Sequence, residues 1–273
     1  MFWINWLLDP GQRKRLEAFR QAERPVVLMG RGHSGTRVLS WACAHLGLNL
    51  GTGDDLATGD PTDTKFTAKV KRIAQRELGR REGAEVCDRD IWKFAAAAHE
   101  YFQGLGAPRG LWGWKFPETY LVAPLVARTF PGSRFLHVVR DGRDIAFKTH
   151  LTDNPRRRIG RRILARSSAL ESPRHIQAAA SWKYQVDSFD RLRQELPRDR
   201  VCDLRFEDLC LKPMEVMSQV CEFLGLEMTE PCKRYLETEI NTAKVGQYRE
   251  NDPALVSQVE ERIGDTLRRW QYL

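Results

Sequence analysis

The first residues whose types and spacing can do chemistry lie in the segment Gly30 to Arg37, GRGHSGTR. Gly30 and Gly35 bracket four residues just ahead of an apolar-periodic run. A glycine-bracketed loop entering a helix aims successive backbone N–H groups, and the positive end of the helix dipole, at one anionic ligand. A nucleoside-triphosphate loop, GxxxxGK[ST], would place lysine after the second glycine and then a hydroxyl to hold magnesium. Here Thr36 takes the lysine place and Arg37 the hydroxyl place, so an ATP- or GTP-dependent kinase is the second reading rather than the first. The other candidate is Phe135 to Lys148, FLHVVRDGRDIAFK, where Arg140 ends an apolar run and Lys148 follows. Both can hold a phosphate, the guanidinium as a fork and the ammonium as a point charge.

These residues need elements to position them. Val26 to Met29 is a compact apolar run between Pro25 and Gly30, which predicts a buried parallel strand. Val38, Leu39, Ala42 and Leu46 then recur at helical spacing, giving strand, loop and helix. Helices are predicted over 64–81, 90–102, 118–130 and 213–224, the last closed by Gly225. Strands are predicted over 111–115, 134–140 and 201–206. Strands alternating with helices argue an α/β fold with a central parallel sheet covered on both faces. Ligands of such sheets lie beyond the carboxyl ends of the strands, which puts the loops 31–36 and 140–143 on one rim.

With those motifs in order, the chain resembles the sulfotransferases that use 3′-phosphoadenosine 5′-phosphosulfate (PAPS). Their 5′-phosphosulfate loop runs basic residue, Ser/Thr, Gly, Thr, and His33-Ser34-Gly35-Thr36 matches it with histidine in the basic place. The resemblance implies a three-layer α/β sandwich with a P-loop-like core and assigns Arg31, Gly32, His33, Ser34, Gly35, Thr36 and Arg37 to the 5′ end of the cosubstrate. Arg140 matches the family's strand-ending arginine on the 3′-phosphate; Lys148 stands where the family has serine. Trp112 to Thr119, WGWKFPET, resembles the segment whose lysine faces the sulfuryl group, which makes Lys115 a transition-state cation. Ser181-Trp182 is similar to a pair near the nucleotide, and Lys244 to Arg249, KVGQYR, to a late loop over the 3′-phosphate that includes Gly246. RFEDLCLKP, from Arg205 to Pro213, matches a late structural strand and helix, with Glu207 an orienting carboxylate.

Sulfuryl transfer, like phosphoryl transfer, asks the protein for position and charge stabilisation. His33, Lys115 and the amides of Gly35 and Thr36 are the expected stabilisers, and no metal is called for. An imidazole with an ordinary pKa of about 6.5 carries its charge only in part at neutral pH; if His33 merely caps the loop, Arg31 or Lys115 supplies the charge. By resemblance to tyrosylprotein-type members, Asp54 is the expected base for the acceptor proton, with Asp55 beside it and Glu118 as the alternative.

The 273 residues, 42% hydrophobic, suffice for one substantial core and are read as one domain, 1–273, with an arginine-rich helical insertion around 151–175. Arg156, Arg157, Arg158, Arg161, Arg162 and Arg166 are spaced to line a helical face; the alternatives are a solvated surface and a site for an acidic or bulky acceptor, such as a glycan. The net charge of +8 asks for an anionic partner. That partner is read as the nucleotide plus an unidentified acceptor, with no nucleic acid; a nonenzymatic polyanion binder is the third reading. Met1 to Leu8 is too short to span a bilayer and reads as an anchor against the domain, the alternative being weak membrane contact. Six cysteines without a C-x-x-C pair point to idle thiols in a reducing cytoplasm.

Overall fold

The computed structural model of the chain describes residues 9–51, 64–80 and 84–273. Helix α1 (Pro10–Ala22), opened by the Asp9 side chain on the Gln12 N–H, leads into strand β1 (Val26–Met29) and helix α2 (Thr36–His45). Helices α3 (Thr64–Glu77) and α4 (Asp88–Gly104) precede strand β2 (Gly113–Lys115); α5 (Ala123–Thr129) precedes β3 (Arg134–Val139). Then come α6 (Gly142–Ala146), α7 (Arg158–Arg166), α8 (Arg174–Glu195), β4 (Val201–Arg205), α9 (Phe206–Leu211), α10 (Pro213–Leu224), α11 (Glu230–Glu239) and α12 (Pro253–Arg269).

The four strands form one sheet in the order β2-β1-β3-β4, and every pairing is parallel. Alternation along β1 divides the core. Val27 and Met29 pack with Phe19, Val70, Phe94 and Val126 of α1, α3, α4 and α5; Val26 and Leu28 pack with Leu39, Leu209, Val220 and Leu236 of α2, α9, α10 and α11. A third cluster joins Val139 and Ile145 to Trp182 of α8 and Ile263 of α12. Because both faces are covered, β1 is buried at every position, which explains why its sequence is a continuous apolar run.

Most predicted elements are present, with instructive differences. Strand β2 is confined to three residues. A Cβ on Gly113 would lie 1.8 Å from the Val26 carbonyl oxygen, so glycine lets the two backbones meet there, while Trp112, whose carbonyl accepts the Val26 N–H (2.9 Å), lies outside the strand and bridges to Asn49. The predicted 118–130 helix is a 3-10 turn, Pro117–Val122, followed by α5; Pro124, which has no N–H, stands where they meet. The last predicted strand ends at Arg205, and Phe206 begins α9.

The arginine run also divides. Arg156 and Arg157 precede α7, and together with Arg158 and Arg161 they are exposed. Arg162 and Arg166 turn inward and hold the end of α3. Arg162 donates to the Gln75 carbonyl, and Arg166 to the Arg80 carbonyl (2.5 Å) and the Tyr184 hydroxyl (2.7 Å). No helix among the described residues is long and apolar enough to cross a membrane.

Candidate functional site

The loop after β1 is shaped by close backbone approaches. A Cβ on Gly30 would lie 2.4 Å from the Val138 carbonyl oxygen, and one on Gly32 would lie 2.4 Å from the His150 ring. Gly35 has φ +82°, and Phe206 occupies the space a side chain would need. Gly35 caps α2 without any side-chain hydrogen bond. The first-turn amides of α2 are therefore left for another acceptor, which is the geometry of an anion site. Ser34 is 1% exposed, and its hydroxyl has no hydrogen-bond partner among the described residues. A buried hydroxyl without a partner costs free energy that a bound oxyanion would recover.

The cations of this loop behave differently from one another. Arg31 is buried with its guanidinium on Asp153 and on the Gly32 carbonyl (2.9 Å), turned into the fold. Burial lowers its pKa to about 10 despite the Asp153 charge. His33 is exposed, with φ 72°, and its Nε2 lies 2.9 Å from the Thr149 carbonyl oxygen. Its pKa is lowered, by partial desolvation first and by Arg31 and Lys148 in support, against the pull of the Thr149 carbonyl. Thr36 is buried at the start of α2, and Arg37 is exposed.

Lys115 ends β2 beside Leu28, so it stands next to the root of the loop. It is 4% exposed, and desolvation, seconded by Arg37 and opposed by Glu118, brings its pKa down to about 8. Glu118 is buried and its pKa is raised by desolvation, with Lys71 and then Lys115 countering. Lys71 of α3 also acts electrostatically on His150 and sits 5.4 Å over the Phe116 ring. It belongs to this neighbourhood, and the sequence carries no motif that would have singled it out.

Arg140 joins three segments. Its Nη1 donates to the His33 carbonyl (3.1 Å), its Nε and Nη2 to Asp144 Oδ2 (3.2 and 2.9 Å), and its Nη2 also to the Lys244 carbonyl. The guanidinium lies 4.5 Å over Phe206, the ring that also packs on Gly35. Asp144, not predicted, accepts the N–H groups of Gly246 (3.1 Å) and Tyr248 (2.8 Å) and so fixes the 244–249 loop. Lys148 donates to Gln247 Oε1 (3.1 Å), which puts it on the same loop, and its pKa is lowered by burial and then by Arg140. Lys244 and Arg249 are exposed, with Arg249 stacked 4.9 Å over Tyr248. Gly246 takes φ 72°.

Sequence reasoning therefore named residues that the fold gathers: the Gly30 to Arg37 loop, Lys115, Arg140, Lys148, Lys244, Gly246 and Arg249. Ser181 is placed differently. Its hydroxyl is fully buried and donates to the Thr152 carbonyl (2.8 Å), behind the loop where α8 meets the 151–153 turn. Asp54 and Asp55 lie outside the described residues. Glu207 accepts the Asp141 N–H (3.0 Å) and the Tyr272 hydroxyl (2.7 Å), an orienting contact beneath the turn that carries Arg140.

Comparison with known proteins bears on the family and the fold. A sequence model of the Sulfotransferase family matches residues 25–230. Among solved structures, the chain is similar to the sulfotransferase domain from the curacin biosynthetic pathway, with 14% identity, a TM-score of 0.56, and coverage of 89% of this chain and 98% of that one. It is similar to a mouse sulfotransferase complexed with PAP (12% identity, TM-score 0.53, 93% and 88% coverage). It is also similar to a sulfotransferase from Alicyclobacillus acidocaldarius (17% identity, TM-score 0.50, 90% and 96% coverage). At these identities the likeness is one of fold. A search of curated protein sequences gives no match.

Proposed function

The chain belongs to the sulfotransferase family, and from that premise we propose that it transfers a sulfuryl group from PAPS to a hydroxyl or amine, releasing adenosine 3′,5′-bisphosphate. The observation that carries this reading is the uncapped start of α2, with the unpartnered Ser34 hydroxyl beside it, tied through Arg140 to the 244–249 loop. The first offers donors to a 5′-phosphosulfate, and the second gathers Arg140, Lys148, Lys244 and Arg249 for a 3′-phosphate. Similarity to a mouse sulfotransferase complexed with PAP supports the same nucleotide class. Thr36 and Arg37 in place of the P-loop lysine and hydroxyl disfavour a kinase.

The cosubstrate supplies the sulfuryl group. Around it, the amides of Gly35 and Thr36 and the Ser34 hydroxyl hold the phosphosulfate oxygens, and Arg140, Lys148 and the Gly246 loop hold the 3′ end. Lys115 is the principal cation for the charge that develops on the leaving bridge oxygen: with a pKa of about 8 it is protonated at neutral pH, whereas His33 is held below its ordinary value. His33 is the second donor, drawn toward its cationic form by the bound anion. The acceptor oxygen forms its bond to sulfur as the bridging S–O bond breaks, and its proton passes to a carboxylate. Asp54, Asp55 and Glu118 are the candidates, and burial raises the pKa of Glu118, which makes its carboxylate the more avid proton acceptor. The chain acts as one domain with the segment 151–175, which holds α7, as its insertion, and the six free thiols support a cytoplasmic setting.

Calorimetric titration with adenosine 3′,5′-bisphosphate, with magnesium ATP as the control, tests the reading. Binding of the bisphosphate in the micromolar range or tighter, in preference to magnesium ATP, is expected. Preference for magnesium ATP would overturn the cosubstrate class and leave the family and fold.

A further inference from the structure

The division of the arginine run leaves four guanidinium groups without a structural task. Arg156, Arg157, Arg158 and Arg161 are exposed, and none has a salt-bridge partner among the described residues. By contrast, Arg162 and Arg166, farther along the same segment, bond to backbone carbonyls of the α3 end. Four like charges within six residues of chain raise the local positive potential, which salt screens only beyond a Debye length of about 8 Å at physiological strength. A fold gains nothing from such a cluster, which fits a role toward an external anion.

The patch is tied by contacts to the turn that packs on the candidate loop. Thr149 meets His33, Asp153 accepts from both Arg31 and Arg174, and Asn154 accepts the Arg156 N–H (2.9 Å). Helix α7 sits directly on this turn because Gly160 has no side chain: a Cβ there would lie 2.3 Å from the Asn154 carbonyl oxygen and 2.6 Å from that of Leu151. The patch is thus attached through one short turn to the loop that faces the phosphosulfate. Beside it, Arg161 shares a cleft of about 380 Å³ with Pro155, Leu170, Glu171, Ser172 and Gln177. The cleft carries the Glu171 carboxylate as well as the Arg161 guanidinium, with the Ser172 hydroxyl and the Gln177 amide, so the attraction for an anion comes from the exposed arginines rather than from the cleft; it holds no aromatic ring, whereas single-stranded nucleic acid is gripped by stacking platforms.

We propose that Arg156, Arg157, Arg158 and Arg161 form the docking surface for an acidic oligosaccharide, a chain carrying carboxylate or sulfate groups, which presents its hydroxyls to the transfer site. This rests on the sulfotransferase reading above. A polyanionic saccharide offers a hydroxyl and an anion on nearly every unit, so it can span from these guanidinium groups, around the turn they adjoin, to the loop of the transfer site. An acidic peptide offers hydroxyls only at scattered positions.

The test compares the full chain with the quadruple variant Arg156→Ser, Arg157→Ser, Arg158→Ser, Arg161→Ser, and with a second variant carrying lysine at all four positions. The probes are a heparin-derived octasaccharide, polyglutamate of similar charge and oligothymidylate, titrated at fixed salt, with adenosine 3′,5′-bisphosphate titrated separately. The octasaccharide is expected to bind tightest of the three, to weaken at least about tenfold in the serine variant and to recover in part with lysine. Bisphosphate affinity and melting temperature should hold in both variants. Unchanged octasaccharide affinity in the serine variant, or tighter binding of polyglutamate or oligothymidylate by the wild-type chain, overturns the proposal. Bisphosphate binding fails or succeeds independently: its loss in the wild-type chain would sink the cosubstrate reading while the patch result still stands or falls alone.

Discussion

The two ends of the candidate site are built in opposite ways. At the loop after β1, Arg37 is exposed but the other cations are held back: Arg31 is turned onto Asp153, His33 is held toward its neutral form, and Lys115 is buried enough to titrate at about 8. At the loop after β3, Arg140 is fixed by His33, Asp144 and Lys244, and further cations crowd the same rim. The first end holds groups whose charge can respond to a ligand; the second holds permanent charge in a fixed frame. Groups poised between protonation states suit a reacting centre, and rigid guanidinium groups suit an anchor. Under the proposed function the contrast would divide turnover from affinity, and it can be broken at either end.

The largest effect is expected at the reacting end. Lys115→Met should lower kcat by about 10²–10³, the scale of losing one donor to developing charge, with bisphosphate affinity changed by less than about fivefold. Steady-state kinetics beside calorimetry would measure both, and a loss of affinity as large as the loss of turnover would erase the division. At the anchor, Arg140→Ala should do the reverse, weakening the bisphosphate by about 30-fold or more, because truncation leaves Asp144 buried without its charge partner. Asp144→Asn keeps the shape of the anchor and should weaken binding less, through a looser 244–249 loop.

A smaller, sharper signature is pH. The Lys115 pKa is depressed, so its charge is present below about 8 and is lost as pH rises through that value. The profile of kcat/KM should therefore fall on the alkaline side near pH 8, while that of kcat falls at higher pH because the bound anion favours the ammonium. Lys115→Arg should remove the alkaline fall. The smallest effect concerns His150, which desolvation, with Arg31, His33 and Lys71, brings down to about 3. Its folded form stays neutral where the unfolded imidazole, near 6.5, takes up a proton, so the associated stability is present above pH 6.5 and is lost as pH falls. Between pH 6.5 and 5, the melting temperature of the wild-type chain should decline more steeply than that of His150→Gln.

Local chemistry was legible in the sequence. The continuous apolar run of β1, the glycines at 30 and 35 and the αL cap at Gly225 each follow from what neighbouring residues can do, so strand, loop and helix end stood where expected. What the sequence did not disclose are partnerships across the fold. Asp153 claims Arg31 and Asp144 claims Gly246, each from more than a hundred residues away, and Thr152 claims the Ser181 hydroxyl. Nothing in the spacing of an acid tells which distant cation will be beside it. The same limit applied to the arginine run, in which nothing local separates Arg162 and Arg166, bonded to the end of α3, from the four exposed arginines before them.

The sheet order carries a consequence for how the chain is made. Strand β1 lies in the middle of the sheet, yet its partners are β2 and β3, beginning at Gly113 and Arg134. At a synthesis rate of about 5–20 residues per second, Val26 to Met29 waits several seconds on the growing chain before either flank exists. During that interval an apolar strand destined for complete burial has no sheet to join. The nascent chain is then most exposed to misassociation, and the interval closes only when the residues that end in Lys115 and Arg140 arrive.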